Sequence, residues 1–305
     1  MMDNGMNEHE SPLVTTAAFA DGIERLTRSG RLFAAVDAAD APFVAEKATQ
    51  AGPHAAVCLY KPKDASEWAD AAPYLFQVDP STWTWLREGL TEDPSLCIFA
   101  IADTNLEGVR RHFRRYLLVQ SPAGTKMNFR FYDPRVLVTW LDCCTAQELD
   151  DFYGPVSEYG IPTEDGLGAL FWKRLVEGAP RKREDVLYKL RPAQMRAFSK
   201  ASEERFTDRT VNFLQTQFPD AREEPRPSLK YFVAEQIDRA RTLHGFTTEL
   251  ELVTYVITAW ALGGDFDTAM PAVAETLAAK HLSSGDKAAW ISDFTRKLLR
   301  TLEET

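Results

Sequence analysis

Five basic residues fall within six positions, Arg110, Arg111, His112, Arg114 and Arg115, and Arg130, Asp133 and Arg135 follow fifteen residues further on. A guanidinium group carries N–H donors in a fork that matches a carboxylate or a phosphate. Alternate arginines on two neighbouring strands could therefore build a cationic face for an anion. The same residues have a structural use, in which Arg114 and Arg130 pair with Asp133, Asp37 or Asp103 and pin one segment to the sheet. A third use is contact with a protein partner. Asp37 ends the short apolar run Arg-Leu-Phe-Ala-Ala-Val at 31–36. That position often carries a functional carboxylate in α/β proteins, and it also suits a cap for the turn at 37–40. Trp83, Trp85, Tyr74 and Phe76 supply either a recognition surface or core.

Other chemistry is hard to find. The chain has no Gly-x-x-x-x-Gly-Lys, no Gly-x-Gly-x-x-Gly after a strand, no Gly-x-Ser-x-Gly and no His-Glu-x-x-His. Its five histidines are scattered without ligand-like pairing, so neither a metal nor another cofactor is expected. Cys58 and Cys97 lie in apolar runs, and adjacent Cys143 and Cys144 lack the spacing of a redox pair or metal clamp. All four read as buried structural thiols.

The elements that must position these groups change character along the chain. Residues 1–15 read as a loose tail and 16–28 as an amphipathic helix. Strand, helix and strand follow at 31–36, 42–50 and 55–60, a βαβ signal that favours a parallel pair. Strands at 73–78 and 95–101 alternate with helices at 81–89 and 105–111. Residues 113–120 and 126–132 form a hairpin around Ser-Pro-Ala-Gly-Thr at 121–125. In the return strand Phe129 and Phe131 face one way, Arg130 and Tyr132 the other. Asp133-Pro134 opens a helix as cap and first residue, and Thr145 with Glu148 has capping-box spacing. One or two strands fit 157–172. A charged, proline-containing segment at 178–190 reads as a linker, leaving an α/β domain at 16–177. From 191 to 305 the pattern is helical throughout, with expected helices at 192–218, 229–243, 248–262, 267–280 and 285–302. The fold class is thus an α/β N-terminal lobe, a mixed sheet with flanking helices, joined to an all-α helical bundle.

Apolar residues make up 45% of the 305 and charged residues 26%, enough for a substantial core. The net charge of −10 argues against a nucleic-acid partner. No apolar run approaches the length of a membrane span, and the first ten residues lack the pattern of a secretory signal. No membrane partner and a cytoplasmic location are therefore expected.

Five ordered strings carry a family resemblance: Leu-Phe-Ala-Ala-Val-Asp-Ala-Ala at 32–39, Ala-Pro-Tyr-Leu-Phe at 72–76, His-Phe-Arg-Arg-Tyr-Leu at 112–117, Phe-Arg-Phe-Tyr-Asp-Pro-Arg-Val-Leu at 129–137 and Phe-Tyr-Gly-Pro-Val at 152–156. Over about residues 30–160 the chain resembles the effector adaptor-chaperones of bacterial type VI secretion, a family named as a domain of unknown function. The phenylalanine between His112 and Arg114 departs from the aliphatic residue expected there. The resemblance implies a non-enzymatic bacterial adaptor whose partners are a cognate effector protein and the VgrG spike protein. It points to Asp37, His112, Arg114, Arg130, Tyr132, Asp133 and Arg135 as motif or partner-binding residues. The rival expectations are an enzyme using the arginine cluster on an anionic small molecule, and a structural component of the secretion particle.

Overall fold

A computed structural model of the chain describes residues 13–39, 41–60, 69–174 and 187–303. The fold is the α/β lobe followed by an all-helical region that composition and periodicity imply. Most of the expected linker at 178–190, and nearly all of the expected tail, lie outside the described residues. The chain divides into two compact units, 1–198 and 199–305.

In the first unit, β1 (Leu13–Phe19), β2 (Leu32–Asp37), β3 (Ala56–Cys58), β4 (Pro73–Gln77), β5 (Cys97–Ala102), β8 (Val156–Pro162) and β9 (Gly168–Arg174) form one sheet in the order β1-β9-β8-β5-β2-β4-β3. Residues 16–19, expected in a helix, instead pair with β9, and α1 starts only at Ala20 (Ala20–Thr27). Every neighbouring pair in this sheet is antiparallel. The parallel β2/β3 pair is therefore corrected: both strands run antiparallel to β4, which lies between them. Their buried, uninterrupted apolar runs arise because helices cover both faces of the sheet, and such cover serves an antiparallel sheet as well as a parallel one.

Strand alternation splits the core in two. Phe33, Ala35, Ile98 and Ala100 pack with residues of α4 (Leu106–Arg114), α5 (Pro134–Cys143) and α6 (Ala146–Tyr153). Leu32, Ala34, Val36, Cys97 and Phe99 pack on the opposite side with residues of α1, α2 (Phe43–Ala51) and α3 (Pro80–Glu92). Tyr74, Phe76 and Trp83 are core residues on that second side, with Trp85 partly buried against them.

A smaller sheet carries the hairpin, β6 (Leu118–Gln120) against β7 (Lys126–Asn128), with β10 (Tyr188–Lys189) parallel to β6. The hairpin is shorter than its pattern suggests. Residues 113 and 114 finish α4, and after Asn128 the chain turns, Asp133 N–H donating to the Arg130 carbonyl at 2.9 Å. That turn breaks the alternation. Phe129 and Phe131 are buried, and Tyr132, expected on the opposite face, is buried too. Asp133 then caps α5 through a 2.9 Å bond from the Arg135 N–H, and Thr145 and Glu148 form the capping box of α6.

The second unit is helical. α7 (Pro192–Gln217) begins in the first unit, and α8 (Pro219–Glu223), α9 (Arg226–His244), α10 (Glu249–Leu262), α11 (Phe266–Ala269), α12 (Pro271–Ala278) and α13 (Ser284–Glu303) follow. The nearly all-apolar α10 packs against both α9 and α13, burying Leu252, Tyr255, Val256 and Ala259. The single helix expected at 267–280 is two, because Pro271 has no N–H to continue the first. Gly245 ends α9 in the left-handed conformation at φ 70°.

Candidate functional site

Asp37 is the last residue of β2, where the strand leaves the sheet and its carboxylate is released from the ladder. One oxygen accepts the Ala39 N–H at 3.1 Å, which makes the turn cap, and the other forms an ion pair with Arg130. Arg130 can reach it because the turn after β7 throws its side chain away from buried Phe129 and Phe131. Burial works against the charge on Arg130, but the neighbouring Asp37 carboxylate more than offsets it and raises the guanidinium pKa. Next to it Tyr132 is buried and bonded to the Tyr60 hydroxyl; burial first, then Tyr60 and Asp37, push its ionisation far above the usual tyrosine range.

Arg114 ends α4 on the same side. It has no carboxylate partner among the described residues, unlike Arg31 with Asp103 at 2.6 Å, Arg110 with Glu107 at 3.1 Å and Arg135 with Asp133 at 2.7 Å. Asp37, Arg114, Arg130 and Tyr132 line one cleft of about 570 Å³ together with Ala39, Leu59, Tyr60, Ala71, Leu117, Leu118 and Asn128. Its described lining combines charged side chains with aliphatic and aromatic ones, and Leu118 is 44% exposed. Such a cleft can seat a carboxylate against guanidinium while it shields an adjoining apolar group from water.

The other three marked residues stand elsewhere. His112 is buried, its Nε2 2.7 Å from the Phe152 carbonyl, and it joins α4 to the end of α6. Asp133 caps α5. Arg135 clamps that cap with Nε 2.9 Å and Nη2 2.7 Å from the two carboxylate oxygens. The apolar half of the cleft was missed by sequence reading. Leu117 and Leu118 carried a signal as consecutive leucines in an expected strand, one of which has to face outward; Leu59 and Tyr60 carried none. Of the cysteines only Cys97 is fully buried, while Cys58, Cys143 and Cys144 are partly exposed. Among the described residues no group of three or more His, Cys, Asp or Glu could hold a metal ion, and no helix is long and apolar enough to cross a membrane.

Residues 32–151 match the family described as Domain of unknown function (DUF4123). The matched segment contains every residue that lines the cleft. The search of curated proteins and the search of solved structures each find no match.

Proposed function

We propose that the protein is an adaptor that binds a cognate type VI secretion effector in the bacterial cytoplasm and brings it to the VgrG spike, with the cleft at Arg114 and Arg130 as a contact site. The observation that carries this reading is the cleft's composition: two arginines together with an exposed leucine and aromatic residues, within the segment that matches the family. Protein contact sites combine such arginine and aromatic anchors. The five strings shared with the adaptor-chaperones supply the kind of partner. Co-purification of the full chain with the proteins encoded beside it tests the reading. The effector and VgrG are expected to be retained; if neither is, and effector delivery survives deletion of the gene, the proposal fails.

One observation favours a second reading. A cleft of about 570 Å³ holding two arginines and a carboxylate is also the size of a small-molecule site. Against an enzyme stands the pairing of Arg130 with Asp37, which engages the one carboxylate among the described lining residues. Turnover of an anionic metabolite that Arg130→Ala abolishes would decide for the enzyme.

A further inference from the structure

We propose that the cleft recognises an extended, carboxylate-bearing segment of the partner protein, with Arg114 holding an Asp or Glu side chain and Leu117, Leu118 and Tyr60 holding an apolar neighbour of that residue. The inference rests on the adaptor reading and specifies what the site takes.

Three observations carry it. The first is the inequality of the two arginines. Arg130 already has its carboxylate in Asp37, whereas Arg114 has no carboxylate or hydrogen-bond partner among the described residues. A guanidinium in a partly apolar cleft gains from a bidentate anion, and no described residue supplies one. The second is local charge. Among the described lining residues Arg114 and Arg130 outweigh Asp37, in a chain whose net charge is −10. An acidic segment is therefore drawn to this spot, which gives orientation as well as attraction. The third is the wall on the hairpin side. Among the described residues β7 pairs with β6 alone, and its last residue Asn128 lines the cleft beside its cross-strand partner Leu118. A strand edge offers backbone groups to an extended chain, and pockets beside it sort the side chains.

Asp37 has a further role in this scheme. By occupying Arg130 it lowers the cleft's appetite for anions, so its removal should tighten binding while removal of Arg114 weakens it. A purely structural arginine cluster does not predict opposite signs.

The test uses the full chain and two labelled peptides, Ser-Leu-Asp-Phe-Glu-Leu-Ser and its amide counterpart Ser-Leu-Asn-Phe-Gln-Leu-Ser, followed by fluorescence anisotropy. The acidic peptide is expected to bind about tenfold or more tighter than the amide one. Arg114→Gln should remove that preference, Asp37→Asn should increase it, and added salt should reduce it. Thermal melting checks that each variant is folded; if Asp37→Asn does not fold, Arg114→Gln and Leu118→Ser carry the test, Leu118→Ser weakening both peptides. Equal affinity for the two peptides overturns the inference. So does succinate binding as tightly as the acidic peptide with the same loss in Arg114→Gln, which would make the cleft a small-anion site. If the neighbouring effector co-purifies equally with wild type and Arg114→Gln, the inference fails while the adaptor reading stands. If the effector is not retained even by wild type, the adaptor reading fails, and the peptide result alone decides the chemistry of the cleft.

Discussion

The imidazole of His112 fills the space that a side chain on Gly154 would need. A Cβ there would stand 2.7 Å from Nδ1 and 3.1 Å from Nε2, and Gly154 itself has a positive φ of 49°. The same ring hydrogen-bonds to the Phe152 carbonyl at 2.7 Å, so one buried histidine fixes how the chain leaves α6 for β8. Two stretches, 112–117 and 152–156, are thus halves of one contact.

Gly154→Ala is expected to cost about 3 kcal/mol, from both the clash and the backbone strain. In a His112→Ala background the clash is gone, and the same substitution should cost only about 1 kcal/mol. Urea denaturation of the four proteins measures the coupling; strictly additive losses would refute the contact.

Asp267 should set an acid limit on the helical unit. Its side chain is fully buried and receives Arg239 Nε and Nη2, His244 Nε2 and the Tyr255 hydroxyl, each at 2.8 Å. Burial alone would raise its pKa; the hydrogen bonds from Arg239, His244 and Tyr255 reverse this and hold it at about 2. A carboxylate depressed in the folded state stabilises above its unfolded pKa and loses that contribution as pH falls through the folded one. Roughly 2 kcal/mol should therefore disappear between about pH 4 and pH 2. Asp267→Ala should remove this share of the acid sensitivity and cost about 3 kcal/mol at neutral pH, because it strands Arg239. Denaturation followed by circular dichroism across that pH range checks both.

Glu148 is expected to govern the order of 188–194. Its carboxylate closes the capping box at the Thr145 N–H, 2.8 Å, and also takes the Tyr188 hydroxyl at 2.7 Å and Arg191 Nε at 2.7 Å. Burial opposes its ionisation, but bonds from Arg191, Thr145 and Tyr188 hold the pKa at about 2. Its contribution too is lost on acidification, from about pH 4 downward. Glu148→Gln should cost about 2 kcal/mol and speed amide exchange at 188–194 more than in β2 or β5. Uniform acceleration would contradict this.

The four thiols should react in a fixed order. A hydrogen bond from Cys144, with Arg191 nearby, lowers the pKa of Cys143, whereas burial raises those of Cys58, Cys97 and Cys144. Since the thiolate is the nucleophile, iodoacetamide should label Cys143 first and Cys97 only on unfolding. Peptide mass spectrometry over a time course reads the order; early labelling of Cys97 would be inconsistent with its burial.

Local signals were legible wherever the cause is local. The Asp133 cap before Pro134 and the Thr145/Glu148 box depend on groups within a few residues, and each stands where its spacing put it. Strand pairing was not legible in this way. Nothing within 32–58 says that β4, arriving later in the chain, will lie between β2 and β3. Nor does the alternation in Phe-Arg-Phe-Tyr reveal that a turn at 130–133 will bury Tyr132 beside Tyr60.

What the sequence determined by itself is the class of each half, α/β and then helical. It could do so because burial periodicity and capping are written in neighbouring positions. The tertiary structure decided what the residues near the hairpin do. Arg114, Arg130 and Asp37 are far apart in the chain, and only the packing of α4, β2 and the turn after β7 brings them to one cleft, with Arg130 paired and Arg114 open. Buried His112 and capping Asp133, marked by the same strings, were set apart as architecture by that same packing.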